Sequence, residues 1–364
     1  MIRTRIMATG ACVPEQIITN DDLAKVVDTS DEWISQRTGI RERRISAGEN
    51  TSALAIGTAK QVIERAEISP EDVDLIIVAS VTPDYGTPSL ACMVQKELGM
   101  VNAVAFDVVA ACSGFMFALS IADKYIKTGV YRNAVVIGAE TLSKIVNWED
   151  RTTCVLFGDG AGGAYVEASE EGGIIAEELG SKGELCDILT EGHTACDNAF
   201  NDESGDHDPK YYIYMDGRAV FKFATKKVVE STRNVLAKAD VDMEDIAYVI
   251  PHQANARIID VVAHKLKMDD SKFYKNMEHY GNTSSASVPM ALNELNEKGL
   301  IQRGDKIILT GFGGGMTWGT MLVECYNCAS SIYKIKYRRK SLWYLRKSEK
   351  SLQSRQERML RKSH

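Results

Sequence analysis

A cysteine at position 112 lies in the run DVVAACSGF, between a stretch typical of a strand (101–109) and one typical of a helix (113–128). At such a junction the sulfur lies near the unpaired N–H groups of the first helical turn, which together with the helix dipole favour a thiolate. A thiolate attacks thioesters, and the thioester that it forms stays reactive. The pattern predicts that Cys112 is a nucleophile for acyl transfer; a buried, inert cysteine is the alternative.

Two further segments contain polar residues that could act with this cysteine. His252 lies in PHQAN after an apolar run, and Asn282 lies in GNTSSAS. A neutral imidazole can donate a hydrogen bond to a developing oxyanion or accept a proton, and an amide donates without titrating. Either residue could instead be structural, as a satisfied histidine or as a turn or helix-capping asparagine. With Cys112, the two predict an acyl-transfer site that stabilises charge on a thioester carbonyl.

Other motifs exclude competing kinds of site. The run GFGGGMTWG (311–319) has neither the G-x-G-x-x-G spacing nor a following GK[ST], so we do not expect a phosphate loop. A tight turn that brings a backbone N–H close to a substrate oxygen fits it better. Cys325 and Cys328 have no second pair and no nearby histidine, so we expect no metal there. Eight cysteines without framework spacing, and no recognisable signal peptide, favour a reduced, cytoplasmic setting.

The elements that must position these residues follow an alternating pattern. Apolar, β-rich runs typical of strands cover 75–81, 103–109, 134–140, 248–253 and 306–312. Helical patterns cover 51–66, 89–99, 113–128, 217–238, 256–267 and 286–299. This alternation predicts an α/β fold with a mainly parallel sheet covered on both faces. The candidate residues follow strands or lie between elements, where ligands bind in such folds.

A weak internal repeat divides the chain. EDVDLIIVAS (71–80) resembles EDIAYVIPHQ (244–253), and YRNAVVIGAE (131–140) resembles RGDKIILTGF (303–312). We therefore predict two similar α/β halves. The half 1–170 would contain the nucleophile, and the half 171–328 would contain the histidine and the asparagine. The polar run 191–208 is typical of a surface loop.

Charge is distributed unevenly along the chain. The last 34 residues hold 12 Lys and Arg against 2 Glu, whereas the remainder holds 31 basic and 48 acidic residues. An acidic body does not suggest nucleic-acid binding, and we expect 329–364 to form a basic, disordered tail. The longest uncharged apolar stretch, 108–122, has 15 residues. A membrane-spanning helix needs about 20, so we expect no transmembrane segment.

Several strings in this order resemble the 3-oxoacyl-[acyl carrier protein] synthase III family of the thiolase superfamily, from about residue 1 to 326. They are DEWISQRTGIRERR (31–44), ACSGF (111–115), DRTTCVLFGDGAGG (150–163), MDGRAVFKFA (215–224), PHQANARI (251–258), GNTSSASVP (281–289) and GFGGGMTWG (311–319). The resemblance implies a thiolase-like fold, in which two α/β halves form a five-layered αβαβα arrangement. It also implies a homodimeric enzyme that starts fatty acid biosynthesis without a cofactor.

The resemblance assigns the chemistry to specific residues. Cys112 would take the primer acyl group from acyl-CoA. His252 and Asn282 would then hold the thioester carbonyl of malonyl-[acyl carrier protein] while it loses CO2, and the carbanion would attack the acyl group on the cysteine. The backbone N–H groups of Cys112 and Gly315 would form a second oxyanion hole. Phe115 would be the aromatic residue beside the sulfur.

The same resemblance assigns substrate contacts. Trp33, Arg37 and Arg151 would hold the adenine and phosphates of CoA, because Arg suits phosphate and an indole stacks with adenine. The remaining substrate-binding residues would be Gly217, Phe221, Ala254 and Asn255 along the pantetheine tunnel, together with Phe312. Lys222 and Arg257 would receive an acidic carrier protein at the tunnel mouth.

The chain departs from the family in two places. In the loop TPDYGTPSLAC (82–92), where many relatives have a bulky Phe that helps to close the neighbouring subunit's primer pocket, this chain has Thr87. The smaller residue predicts a roomier pocket and tolerance for primers longer than acetyl. The residues after about Glu324 have no counterpart in the family.

Rival functions fit less well. A related ketosynthase of polyketide or other specialised metabolism would use the same site with other substrates. A degradative thiolase would have a second catalytic Cys in the glycine run 311–319, which has none. A papain-like hydrolase would need C-G-[SA]-C-[WY], which ACSGF does not match. A non-catalytic acyl-CoA-binding relative would be free to lose the nucleophile, which is present here.

Overall fold

The computed structural model describes residues 2–192 and 212–326. The predicted tail 329–364, Cys328 and most of the predicted surface loop 191–208 lie outside the described residues. Within the described ranges, no helix combines the length and the apolar character needed to cross a bilayer.

Each predicted helix lies within about two residues of its observed bounds, and each predicted strand run overlaps an observed strand. The prediction misses the four long strands Arg3–Cys12, Asp159–Ser169, Gly173–Ser181 and Thr317–Glu324, so the alternation of strands and helices is less regular than predicted. The strands are β1 (Arg3–Cys12), β2 (Ile17–Thr19), β3 (Glu42–Arg44), β4 (Leu75–Ala79), β5 (Val104–Val108), β6 (Asn133–Thr141), β7 (Asp159–Ser169), β8 (Gly173–Ser181), β9 (Leu189–Thr190), β10 (Tyr214–Met215), β11 (Ile246–Pro251), β12 (Lys306–Gly313) and β13 (Thr317–Glu324). The helices are α1 (Asn20–Leu23), α2 (Asp31–Thr38), α3 (Thr51–Ala66), α4 (Leu90–Leu98), α5 (Gly114–Lys127), α6 (Gly217–Ala239), α7 (Ala256–Leu266), α8 (Met277–Tyr280) and α9 (Ser287–Glu297).

Two mixed sheets form the frame. The first has the strand order β1-β7-β6-β4-β5, and the second has the order β11-β12-β13-β8. The predicted mainly parallel pairing is wrong. Only β4–β5, β4–β6 and β11–β12 are parallel pairs within these two sheets. The β12–β13 pair is antiparallel because the glycine-rich connection between the strands is too short for a crossover.

Helices cover both sheets and also separate them. Helices α5 and α9 lie between the sheets and contact strands of both, while α3 and α4 cover the outer face of the first sheet. Helix α6, against which α7 packs, covers the outer face of the second sheet. The order of layers is therefore αβαβα, and the predicted thiolase-like α/β fold is confirmed. Helix α5 is apolar on most of its surface because it is buried between two sheets.

The two central helices begin in the same way. A three-residue 3₁₀ turn, Ala111–Ser113, leads directly into α5, and another, Ser284–Ala286, leads directly into α9. The first residue of each turn has a positive φ, 45° at Ala111 and 49° at Ser284. The turn before α5 packs on β12 and β13 of the second sheet, and the turn before α9 packs on β6 and β7 of the first sheet. The two turns also contact each other. We call them the paired turns.

Glycines allow this close packing. A Cβ at Gly138 on β6 would lie 2.2 Å from the backbone oxygen of Ser285, and one at Gly313 on β12 would lie 2.5 Å from the backbone nitrogen of Cys112. Both distances are far shorter than any van der Waals contact, so a side chain at either position would push a paired turn away from its sheet.

Candidate active site

Cys112 is the middle residue of the first paired turn, and it is 8% exposed. Its predicted place between a strand and a helix is confirmed, because β5 precedes it and α5 begins two residues later. Ala111, before it, is held in the left-handed region, which costs a non-glycine residue free energy and is often found at functional sites. This backbone geometry fixes the direction in which the thiol enters the site.

The ionisation of Cys112 differs from the sequence-based prediction. The pKa of this thiol is raised to about 12, mainly by burial and to a smaller extent by the charges of Glu140 and Glu191, against a lowering by a hydrogen bond from the Ser284 side chain. The predicted preference for a thiolate is therefore wrong for the free protein. Removal of the sulfur from water raises its pKa more than the N–H groups and dipole of the first turn of α5 lower it.

His252 follows β11 and is 3% exposed. Its backbone N–H donates to the Thr310 oxygen at 2.8 Å, and its Nδ1 lies 2.6 Å from the Ser287 Oγ. The ring meets the edge of Phe312, with the centroids 5.2 Å apart. Burial lowers the pKa of this imidazole to about 3, so the ring is neutral at physiological pH. A neutral ring has one donor and one acceptor nitrogen.

Asn282 lies two residues before the second paired turn and is 7% exposed. Its N–H donates to the Leu156 oxygen at 2.8 Å, and its carbonyl accepts from the Gly158 N–H at 3.0 Å. Its side-chain Oδ1 accepts the Ser284 N–H at 2.8 Å. Because the oxygen is used in this way, the amide NH₂ group is the part left to donate to a bound molecule.

The structure brings these three residues together through short links. Ser284 bonds Asn282 through its N–H and reaches the Cys112 thiol through its side chain. Gly311 and Gly313 contact the backbone of Cys112, and Phe312 between them contacts His252. A buried thiol is thus linked, through Ser284 and through β12, to two neutral side chains that can donate hydrogen bonds. This arrangement suits acyl transfer and stabilisation of a developing oxyanion.

Several supporting residues are not identified by the sequence motifs. Ser284 and Ser287 lie in the same string as Asn282, GNTSSAS, and their spacing from Asn282 is the signal that could point to them. Glu140 on β6 is fully buried and accepts hydrogen bonds from Ser285 at 2.7 Å and from Ser80 at 3.2 Å. It also accepts the backbone N–H groups of residues 81 and 82. It therefore ties the second paired turn to the loop that contains Thr87.

The predicted CoA-binding residues form one cluster. The guanidinium carbons of Arg37 and Arg151 lie 4.6 Å and 5.3 Å from the centroid of the Trp33 ring. Arg37 follows Trp33 by one turn of α2, whereas Arg151 comes from the segment before β7 and donates to the Asp28 oxygen at 2.9 Å. The indole and the two exposed cations fit an adenine with phosphates.

The remaining predicted residues are distributed around this cluster and the site. Asn255 caps α7 and donates to the Arg37 oxygen at 3.0 Å, while Phe221 and Ala254 pack against the hydrophobic cluster that contains Phe312. Gly217 begins α6, on which Lys222 is exposed, and Arg257 is exposed near the start of α7. Gly315 contacts mainly Thr317, and Thr87 is exposed on its loop.

No group of three or more His, Cys, Asp or Glu among the described residues is arranged to hold a metal ion.

Comparisons with known proteins agree on one family. The family model "3-oxoacyl-[acyl-carrier-protein (ACP)] synthase III" matches residues 106–183, and its C-terminal model matches residues 236–325. The chain is 52% identical to beta-ketoacyl-[acyl-carrier-protein] synthase III of Clostridium acetobutylicum over 324 residues, which are 89% of this chain and 99% of the relative.

Solved structures give the same result. The crystal structure of 3-oxoacyl-[acyl-carrier-protein] synthase III from Aquifex aeolicus VF5 is similar with a TM-score of 0.82 and 48% identity, over 88% of this chain and 99% of that one. The priming beta-ketosynthase of the R1128 polyketide biosynthetic pathway is similar with a TM-score of 0.83 and 33% identity, over 90% of this chain and 97% of that one.

Proposed function

The chain belongs to the 3-oxoacyl-[acyl carrier protein] synthase III family, and we propose that it catalyses the condensation that starts fatty acid biosynthesis. An acyl-CoA primer and malonyl-[acyl carrier protein] would give 3-oxoacyl-[acyl carrier protein], CO2 and CoA. The observation that carries the proposal is the convergence of Cys112, His252 and Asn282 through Ser284 and the strand β12.

In the first half-reaction, the sulfur of Cys112 bonds to the acyl carbon and the bond to the CoA sulfur breaks. Because burial keeps the thiol protonated, its proton leaves as the sulfur attacks, and the departing CoA thiolate takes up one proton. The backbone N–H groups of Cys112 and Gly315 are proposed to stabilise the tetrahedral oxyanion. Gly313, which packs against the Cys112 nitrogen, holds this part of the loop close to the nucleophile.

In the second half-reaction, the malonyl group loses CO2 and its electron pair remains as an enolate. His252 and Asn282 donate to the enolate oxygen, where charge increases towards the transition state. The carbanion then attacks the acyl carbon on Cys112 and expels the cysteine sulfur, which regains a proton from solvent. Side chains and substrates supply every step, so the proposal includes no cofactor.

Substrate binding follows the clusters described above. Trp33, Arg37 and Arg151 would hold the CoA nucleotide at the surface. The pantetheine arm would pass Gly217, Phe221, Ala254, Asn255 and Phe312 on its way to Cys112. Lys222 and Arg257 are exposed on neighbouring helices, where they can attract an acidic carrier protein.

A homodimer is supported by the edge of the first sheet. Strand β5 pairs only with β4 among the described strands. Val104, its first residue, and Val109, the residue that follows it, are 46% and 76% exposed. An open edge with exposed apolar side chains is the kind of surface that native proteins cover. In the proposed dimer, the loop with Thr87 would reach the neighbouring primer pocket, and the small side chain would admit primers longer than acetyl.

Similarity to the R1128 priming ketosynthase supports a second candidate, a priming condensation in polyketide or other specialised metabolism. The chemistry at Cys112 would be unchanged, and only the primer or the carrier protein would differ. The higher identity to the Clostridium and Aquifex enzymes favours the fatty acid pathway. A cytoplasmic location is part of this proposal.

Intact-protein mass spectrometry tests the proposal. The enzyme is mixed with acyl-CoAs of two to eight carbons, beside a Cys112→Ala variant, and the condensation product is then sought after addition of malonyl-[acyl carrier protein]. We expect an added acyl mass that is absent from the variant, and the best-loaded chain identifies the primer. A folded enzyme that no acyl-CoA modifies would refute the proposal.

A further inference from the structure

Ser287, the first residue of α9, contacts the proposed catalytic histidine. It is 1% exposed, and its Oγ lies 2.6 Å from Nδ1 of His252. The backbone N–H of Gln253 lies 3.5 Å from the same oxygen and is directed at it. These contacts fix the hydroxyl between the imidazole and the backbone of the segment that follows β11.

The position of the imidazole proton follows from these contacts. A buried hydroxyl needs an acceptor for its hydrogen. The Gln253 N–H can only donate, so the Nδ1 of His252 is the acceptor for the hydrogen of this hydroxyl. A ring nitrogen that accepts carries no proton, and a neutral imidazole then holds its single proton on Nε2.

We propose that Ser287 is a positioning residue that holds His252 in the Nε2–H tautomer. The inference rests on the proposed function and deepens it, because it gives the histidine one task. The ring presents a donor to the thioester oxygen of the malonyl substrate, and its Nε2 cannot accept the proton of the Cys112 thiol. Ser287 therefore affects decarboxylation and leaves the loading of Cys112 unchanged.

Contact with Phe312 supports this assignment. The imidazole packs edge-on to that ring, with an interplanar angle of 74°. A half-turn of the imidazole about its Cβ–Cγ bond would exchange Nδ1 for a carbon beside the Ser287 hydroxyl and leave the hydrogen of that buried hydroxyl without an acceptor, at a cost of about 1–3 kcal/mol. Packing and hydrogen bonding thus select one orientation and one tautomer together.

The first test observes the tautomer directly. Protein with ¹⁵N-labelled histidine is studied by NMR, and the signals of His252 are identified by their loss in a His252→Ala variant. We expect an unprotonated Nδ1 and a protonated Nε2 in the wild type, and a shift towards the other tautomer in Ser287→Ala. A protonated Nδ1 in the wild type, or an unchanged ratio in Ser287→Ala, would overturn the proposal.

The second test separates the two half-reactions. In Ser287→Ala, we expect malonyl decarboxylation to fall about 10- to 100-fold, the range found when a partner that orients a metal-binding histidine is removed, with Cys112 acylation within twofold of wild type. Ser287→Thr keeps the hydroxyl and should recover most of the decarboxylation. Ser231→Ala, which removes another buried hydroxyl in contact with Thr320, is the matched control and should leave both rates unchanged.

The outcomes distinguish the two proposals. If both half-reactions fall equally in Ser287→Ala, the residue has only a structural role. If the wild-type enzyme neither loads Cys112 nor decarboxylates the malonyl substrate, the proposed function fails, and the NMR measurement still decides the tautomer.

Discussion

Replacing Asn282 with Asp tests the role of the amide donor with little change in shape. The Oδ1 that accepts the Ser284 N–H at 2.8 Å is retained, as are the backbone bonds to residues 156 and 158. The group that replaces the NH₂ is an acceptor with negative charge. Loss of one such donor costs about 100- to 1000-fold in rate. A carboxylate about 4 Å from the enolate oxygen adds repulsion of about 4 kcal/mol at an effective dielectric constant of 20.

We therefore expect decarboxylation of malonyl-[acyl carrier protein] by Asn282→Asp to fall by at least about 1000-fold at pH 8. The rate should recover partly at lower pH, because a protonated carboxyl can donate. Release of CO2 from labelled malonyl substrate gives the rate, and mass spectrometry shows whether Cys112 still loads.

The matched control is Asn293→Asp on α9. The Oδ1 of Asn293 accepts hydrogen bonds from Thr9 at 3.0 Å and from Arg65 at 2.6 Å. A carboxylate at this position, which is not part of the site, would keep both bonds. We expect this variant to stay within threefold of wild type in decarboxylation. A rate for Asn282→Asp that is also within threefold of wild type would refute the reasoning about the amide donor.

Three further predictions follow from burial, charge and packing. Alkylation of Cys112 by iodoacetamide, measured by mass spectrometry, should rise about tenfold per pH unit between pH 6 and 9, because the thiolate fraction grows below a pKa of about 12; a plateau in that range would contradict this. Arg151→Ala should raise KM for acyl-CoA about tenfold with kcat nearly unchanged, since a charge-assisted hydrogen bond contributes about 1.5–3 kcal/mol; an unchanged KM would exclude a role in CoA binding. Gly138→Ala should lower the melting temperature by several degrees, because its Cβ would lie 2.2 Å from the Ser285 oxygen, whereas Gly183→Ala, with no atom within 4 Å, should not; equal melting temperatures would contradict the close packing.

Local patterns predicted the six long helices of the αβαβα layers and five of the strands, because these depend mainly on their own residues, but they did not predict β1, β7, β8 or β13. The run LIIVA at 75–79 is buried along its whole length, and the helix at 51–66 has the predicted bounds. The relative directions of the strands were not available from such patterns. β7 lies antiparallel to both β1 and β6, and these pairings depend on segments far apart in the chain.

The candidate site likewise combines features that the sequence predicts with features that depend on distant segments of the chain. Motif order pointed to Cys112, His252 and Asn282, and the structure brings them together. The protonation of the thiol could not be predicted, because it depends on burial by residues from both sheets and on Glu140, which lies 28 positions away in sequence. The contact of Ser287 with His252 joins two elements 35 residues apart, and only the folded chain reveals it.

The paired turns have a consequence for how the site responds to movement of the sheets. The turn with Cys112 packs on β12 of the second sheet, whereas the turn with Ser285 packs on β6 of the first. The two turns also contact each other between the sheets. Any change in the separation of the two sheets would therefore displace the nucleophile relative to the segment that contains Asn282.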